Sequence, residues 1–392
     1  MTNALPVLWL YGPSGVGKTT VAWELYRRLA ARGGPAGYVD IDQLGMSYGA
    51  PTAEHWSPEP ASDPVRYRLK AANLDAVAAN YAAVGARCLI VPGILDPERG
   101  IDPALLPHTA LTLCRLRADE PELMRRLNTR GNTDEPIDEI LRDARVLEHG
   151  ALPGVCIDTT GLGIADVADQ VLKHAEGWSA PAMRRPAAFG SSAASGAALA
   201  RTDAPGEVLL VCGPTGVGKS MVGWSAYRAA RIAGYQSSYV DLDQISFLEP
   251  AQAADPGRHR LKAANLAAVW HNFHARGAGH LVAVGPIDGD EAVRAYAEAL
   301  PSARIVVARL HAGPERFAER IALRGAGKTP PRGLAGDLLV GRPSAELRRI
   351  ADQAAAESAA LDRAGVGDIR VLTDDRSPDE LGAALLSAAG WV

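Results

Sequence analysis

Gly12-Pro13-Ser14-Gly15-Val16-Gly17-Lys18-Thr19 fits G-x-x-x-x-G-K-[ST], the pattern of a phosphate-binding loop. Its flanks suit that reading. Val7-Leu8-Trp9-Leu10 is a short apolar run that predicts a buried strand, and Thr20–Ala31 has the spacing of an amphipathic helix. Glycines let backbone N–H groups turn inward around an anion, and a helix N-terminus adds partial positive charge. Gly12, Ser14, Gly15, Val16, Gly17, Lys18, Thr19 and Thr20 are the expected nucleotide contacts, with Lys18 reaching the outer phosphates and Thr19 binding Mg²⁺. The pattern returns 201 residues later as Gly213-Pro214-Thr215-Gly216-Val217-Gly218-Lys219-Ser220, followed by Met221. There Gly213, Thr215, Gly216, Val217, Gly218, Lys219, Ser220 and Met221 take the same expected roles, with Ser220 on the metal.

The recurrence extends along the chain. Val39-Asp40-Ile41-Asp42-Gln43 returns as Val240-Asp241-Leu242-Asp243-Gln244. Arg68-Leu69-Lys70-Ala71-Ala72-Asn73-Leu74 returns unchanged as Arg260 to Leu266. Thr159 pairs with Thr373, and tryptophans close both stretches at Trp178 and Trp391. The pattern predicts tandem duplication of one domain: copy one over 1–178, a flexible linker over 179–206, rich in Ser, Ala, Gly and Pro, and copy two over 207–392. Within copy one, strands at Val7–Leu10, Ala36–Ile41, Cys88–Val91, Ala110–Leu116 and Val155–Asp158 alternate with helices at Thr20–Ala31, Arg66–Val84, Glu120–Arg130 and Ile164–Ala175. The fold class expected is α/β: two tandem P-loop domains, each a parallel sheet flanked by helices.

Composition narrows the function classes. With 392 residues, 47% hydrophobic, the chain has material for ordinary cores. A net charge of −4 offers no basic track, so neither nucleic acid nor a membrane surface is an expected partner. No signal peptide is visible, and four scattered cysteines without C-x-x-C spacing suit a reducing compartment, so a cytoplasmic location is expected. The nine histidines show no metal spacing and no pairing with a serine or cysteine.

Three constellations carry candidate chemistry. Asp40 and Asp42, and likewise Asp241 and Asp243, end a strand, and alternation would put both carboxylates on one side. They could hold Mg²⁺ through water or take a proton from a substrate hydroxyl; capping of a turn is the bland alternative. Arg126 and Arg130, repeated as Arg320 and Arg324, lie four apart on a helix and could swing over a nucleotide; an exposed basic face is the alternative. Arg68, Lys70 and Asn73, with Arg260, Lys262 and Asn265, are candidates for substrate contact or domain contact.

Each copy resembles the small P-loop kinases of the nucleoside-monophosphate-kinase-like group, with adenylylsulfate, gluconate and shikimate kinases closest in layout. The resemblance rests on the phosphate loop, the Asp-x-Asp, the Arg-x-x-x-Arg lid, and Asp158-Thr159-Thr160-Gly161 before the last helix. It implies ATP and Mg²⁺ as cofactors, a small-molecule acceptor, and site roles for Lys18, Thr19, Asp40, Asp42, Arg126, Arg130, Lys219, Ser220, Asp241, Asp243, Arg320 and Arg324. The sequence departs from adenylylsulfate kinases at Ile41 and Leu242, where those enzymes have glycine, and the glycine-rich acceptor motif of shikimate kinases is missing. The expectation is therefore an ATP- and Mg²⁺-dependent phosphotransferase acting on a small molecule, with a regulatory nucleotide switch as alternative. Intramolecular pairing of the two copies is left open.

Overall fold

The first strand, β1 (Leu5–Tyr11), is apolar throughout, with Val7, Leu8 and Leu10 fully buried. Such a continuous run suits the centre of a parallel sheet covered on both faces. This is what the structure, a computed structural model, contains. It describes residues 4–52, 65–130, 136–150, 152–175, 178, 198–328, 337 and 339–392. Most of the expected linker (179–197), the proline-rich loop 53–64 and the lid stretches 131–135 and 329–336 lie outside the described residues.

The chain divides into two units. The first comprises Met1–Gly45, Ser62–Leu199 and Ser246–Leu261. The second comprises Met46–Ala61, Ala200–Ile245 and Lys262–Val392.

In the first unit β1 lies between β4 (Cys88–Pro92) and β5 (Thr109–Arg117), and both pairings are parallel. Beyond β5 comes β6 (Val155–Asp158), and beyond β4 comes β2 (Ala36–Tyr38). Helices α1 (Lys18–Ala31), α2 (Val65–Ala83), α3 (Glu120–Arg130), α4 (Ile137–His149) and α5 (Ile164–His174) connect them. On α1, Val21, Ala22, Leu25, Tyr26 and Leu29 are buried at helical spacing.

The sheet is finished by β9 (Phe247–Glu249), antiparallel to β2 with Tyr38 opposite Phe247. Phe247 packs edge-on to Trp23 and Tyr38, with ring centroids 5.0 and 5.8 Å away. The Tyr81 hydroxyl donates to the Phe247 carbonyl at 3.1 Å.

The second unit repeats the order: β12 (Ile369–Leu372), β11 (Ala303–His311), β7 (Gly206–Cys212), β10 (His280–Val284), β8 (Ser237–Asp241), and then β3 (Ser47–Tyr48). Its helices are α6 (Lys219–Ile232), α7 (His259–His274), α8 (Asp290–Ala299), α9 (Pro314–Gly325), α10 (Ser344–Arg363) and α11 (Pro378–Ala389). Strand β3 runs antiparallel to β8. It is secured by the fully buried Arg231, whose Nε donates to the Gly49 carbonyl at 2.8 Å and whose guanidinium lies 5.3 Å from the Tyr48 ring centre.

Each sheet is thus closed at its edge by a short strand that the sequence repeat places in the other copy. A long unpaired edge is an aggregation hazard, and a very short edge strand blunts it. Among the described residues no helix is long and apolar enough to cross a membrane.

Candidate functional site

Both phosphate loops join the central strand of a sheet to a helix. A side chain on Gly12 would put its Cβ 2.2 Å from the Leu116 carbonyl oxygen, and one on Gly213 would come 2.5 Å from that of Leu310. Only glycine lets the loop pass so close to the neighbouring strand. Lys18 Nζ donates to the carbonyls of Gly12 and Pro13 at 2.9 and 2.8 Å. Lys219 does the same to Gly213 and Pro214 at 2.7 and 2.9 Å. Each ammonium therefore lies across its own loop, where phosphate oxygens would replace the carbonyls as partners.

The Asp-x-Asp pairs lie beside these loops, but strand alternation is not the reason. Strand β2 stops at Tyr38 and Ile41–Gly45 is a 3-10 turn, whereas β8 does end on Asp241 and only Asp243 lies beyond it. The Asp42 amide donates to Asp40 Oδ1 at 2.9 Å, and the Asp243 amide to Asp241 Oδ1 at 3.1 Å. The first aspartate of each pair caps its own turn, which aims the second. The middle residue also has a packing task. A Cβ on Gly93, which has φ +143°, would stand 1.9 Å from Ile41 Cγ2, and one on Gly285 would stand 2.9 Å from Leu242 Cβ. An apolar residue between the aspartates keys into a glycine just past the third strand, which accounts for Ile41 and Leu242.

The electrostatics separate the two carboxylates. Burial, and then the charge of Asp42, push Asp40 up to about 7. Partial desolvation also opposes charge on Asp42, but Lys70, Lys18 and Arg66 outweigh it and hold Asp42 below the ordinary carboxylate range. Asp241 is raised by burial and by Asp243 to about 6. In the second unit Ser220 Oγ donates to Asp241 Oδ2 at 3.2 Å. A hydroxyl beside a carboxylate at the head of a helix is a hard-oxygen donor set that fits Mg²⁺ carried on phosphates, an ion that commonly takes one or two carboxylates and retains water.

The heptapeptide divides by burial. Arg68 and Arg260 are exposed, while Asn73 and Asn265 are fully buried. Lys70 Nζ pairs with Asp42 Oδ1 at 2.6 Å, and Lys262 with Asp243 at 2.8 Å. The Asn73 amide donates to the Leu44 carbonyl at 2.6 Å, and that of Asn265 to the Ile245 carbonyl at 2.7 Å.

Arg126 and Arg320 reach their phosphate loops as struts. Arg126 Nη1 donates to the Val16 carbonyl at 3.0 Å and to Thr159 Oγ1 at 2.9 Å, and Nη2 donates to the Thr159 carbonyl at 2.7 Å. Arg320 repeats this on Val217 and Thr373 at 3.0, 2.8 and 2.8 Å. These arginines tie the loop to the turn before the last helix. Arg324 instead pairs with Asp337 at 2.9 Å, and the Arg130 side chain lies outside the described residues.

One wall was missed in the sequence. A cavity in the first unit is bounded by Gly12, Pro13 and Ser14, by Leu95 and Pro97 after β4, and by Asp143 on α4. In the second unit Glu357 on α10 is raised by burial, with Lys219 acting against that rise. Asp143 and Glu357 are 214 residues apart, the same offset as Thr159 and Thr373, and that shared spacing was the available signal.

Strand order and loop define an α/β protein with two P-loop units. A family model described as an AAA domain matches residues 9–147. No curated protein matches the chain. Among solved structures the chain is similar to a sugar kinase from Janibacter sp. HTCC2649, at 16% identity over 46% of this chain and 99% of that one, with a TM-score of 0.34. It is also similar to a gluconokinase from Sinorhizobium meliloti 1021, at 17% identity over 44% and 93% of the two chains, TM-score 0.32. A third likeness is the APS kinase of Mycobacterium tuberculosis in complex with AMPPNP and APS, at 20% identity over 46% and 96%, TM-score 0.27.

Proposed function

We propose that this chain is an ATP- and Mg²⁺-dependent phosphotransferase that moves a γ-phosphoryl group to a small molecule, with one site in each unit. One observation carries the reading: a carboxylate pair lies beside each phosphate loop, with Ser220 Oγ on Asp241 at 3.2 Å and Asp42 held by Lys70 at 2.6 Å. A switch that only binds nucleotide has no need of a second carboxylate held in place by a buried lysine.

In this reading the loop amides and Lys18 or Lys219 hold the phosphates, and Mg²⁺, when bound, would supply charge neutralisation to them. Thr19 or Ser220 and the first aspartate lie on the metal side. The second aspartate accepts the proton of the acceptor hydroxyl as its oxygen bonds to the γ-phosphorus. The bond from that phosphorus to the bridging oxygen breaks, and ADP leaves. Asp143, which lines the cavity beside the first phosphate loop, and Glu357, which faces the charge of Lys219, are further candidates for acceptor contact.

The test is transfer from radiolabelled ATP with Mg²⁺ to a panel of sugars, sugar acids, polyols and hydroxylated amines. A labelled small-molecule product that disappears in the Lys18→Ala, Lys219→Ala double variant supports the reading. Tight binding of a non-hydrolysable ATP analogue with no product from any acceptor refutes it.

A further inference from the structure

We propose that Lys70 and Lys262 are positioning residues: each holds the second aspartate of its site in place toward the acceptor, leaving the first aspartate to the phosphate-loop side. This inference rests on the phosphotransferase reading above.

The burial pattern motivates it. The Lys70 side chain is 7% exposed while its partner Asp42 is 50% exposed; for Lys262 and Asp243 the values are 2% and 39%. Each buried ammonium grips its carboxylate from beneath and leaves the rest of that carboxylate open to solvent. A pair serving only the core would have both members enclosed.

Stability is a poor explanation for such a pair. Burying a lysine carries a desolvation penalty, and well-packed apolar residues of similar volume are often as stabilising. The turn itself is already tied down by Asn73 on the Leu44 carbonyl and Asn265 on the Ile245 carbonyl. What the lysine adds is a fixed direction for one carboxylate oxygen.

The helix supplies the geometry. Lys70 and Asn73 are three apart on α2, so they share a face, and so do Lys262 and Asn265 on α7. One face therefore fixes both the backbone of the turn and the side chain it presents. Lys70 Nζ is on Asp42, whereas the bonds to the phosphate-loop carbonyls come from Lys18. Nucleotide binding should consequently be separable from the step that uses the second aspartate.

The experiment uses the full-length chain and three variants: Lys70→Met with Lys262→Met, Lys70→Arg with Lys262→Arg, and Asp42→Asn with Asp243→Asn. Calorimetry with Mg²⁺ and a non-hydrolysable ATP analogue reads nucleotide binding. Steady-state ATP hydrolysis, with water as the acceptor, reads turnover, and circular dichroism checks folding.

The expected result is a dissociation constant and KM for nucleotide within about twofold of wild type in every variant, with kcat lowered at least about tenfold by the methionine and asparagine pairs. The arginine pair should recover kcat to within about threefold of wild type, because its guanidinium also holds a carboxylate. Combining the methionine and asparagine changes should lower kcat no further than asparagine alone. Unchanged kcat in a folded methionine variant overturns the inference. So does loss of analogue binding, or failure of the arginine pair to restore turnover while folded. Wild-type protein that binds the analogue but neither hydrolyses ATP nor transfers phosphate refutes the phosphotransferase reading itself, and the inference falls with it.

Discussion

Gly93→Ala should disable the first site from outside it. A Cβ on Gly93 would stand 1.9 Å from Ile41 Cγ2 and 3.2 Å from Ile41 Cβ, at a residue with φ +143°. Ile41 is fully buried and lies between Asp40 and Asp42, so it cannot yield without moving both carboxylates. Overpacking typically costs about 1–3 kcal/mol, and the unfavourable backbone conformation adds roughly 1 kcal/mol more, so the total is about 2–4 kcal/mol. At Gly285 the nearest Leu242 atom is 2.9 Å away and φ is not in the positive range, so Gly285→Ala should cost clearly less. Urea denaturation monitored by fluorescence measures both. The decisive comparison is Gly93→Ala with Ile41→Ala. Removing Cγ2 relieves the overlap, so the double variant should be more stable than the sum of the single effects by about 1–3 kcal/mol. Strict additivity, or a Gly93→Ala protein with wild-type stability and turnover, would refute the keyed contact between Ile41 and Gly93.

Other consequences follow from the same structure. Lys18→Ala and Lys219→Ala should each remove one of two nucleotide-binding events by calorimetry; a single event in wild type would mean one loop does not bind. Arg126→Ala removes donors from Val16 and Thr159 and should destabilise the first unit by about 1.5–3 kcal/mol, read from its denaturation midpoint. Asp40 is raised to about 7, so its charged form is disfavoured in the fold. The sign follows from linkage: the penalty is absent below the unfolded value near 4, grows as pH rises through the interval to about 7, and is complete above it. Asp40→Asn should therefore stabilise the protein at pH 8 and change little at pH 4, as measured by denaturation midpoints. Phe247→Ala should weaken the first unit even though Phe247 belongs to the second sequence repeat, by about 1–3 kcal/mol for a partly buried aromatic. Faster hydrogen exchange in Ala36–Tyr38 would show it.

The sequence by itself determined the local chemistry: two phosphate loops with their flanking strand and helix, the presence of the Asp-x-Asp pairs though not the turns that aim them, and the alternation of elements that dictates a parallel sheet. These are short-range facts, because glycine spacing, apolar runs and helical periodicity act over a few residues. The identical Arg68–Leu74 and Arg260–Leu266 runs marked a constrained face, but not its purpose. Only tertiary structure turned the lysine and asparagine of each run onto the aspartate turn and left the arginine in solvent. The same limit applied to Arg126 and Arg320, whose expected swing is a set of bonds to threonines 33 and 53 residues away. The edge strands β3 and β9 are two and three residues long, too short for any periodicity to register. Their places depend on Arg231 and on the Trp23–Tyr38–Phe247 packing, contacts between residues far apart in the chain. Such contacts form only once hydrophobic burial has brought distant segments together, and so they leave no local trace in the sequence.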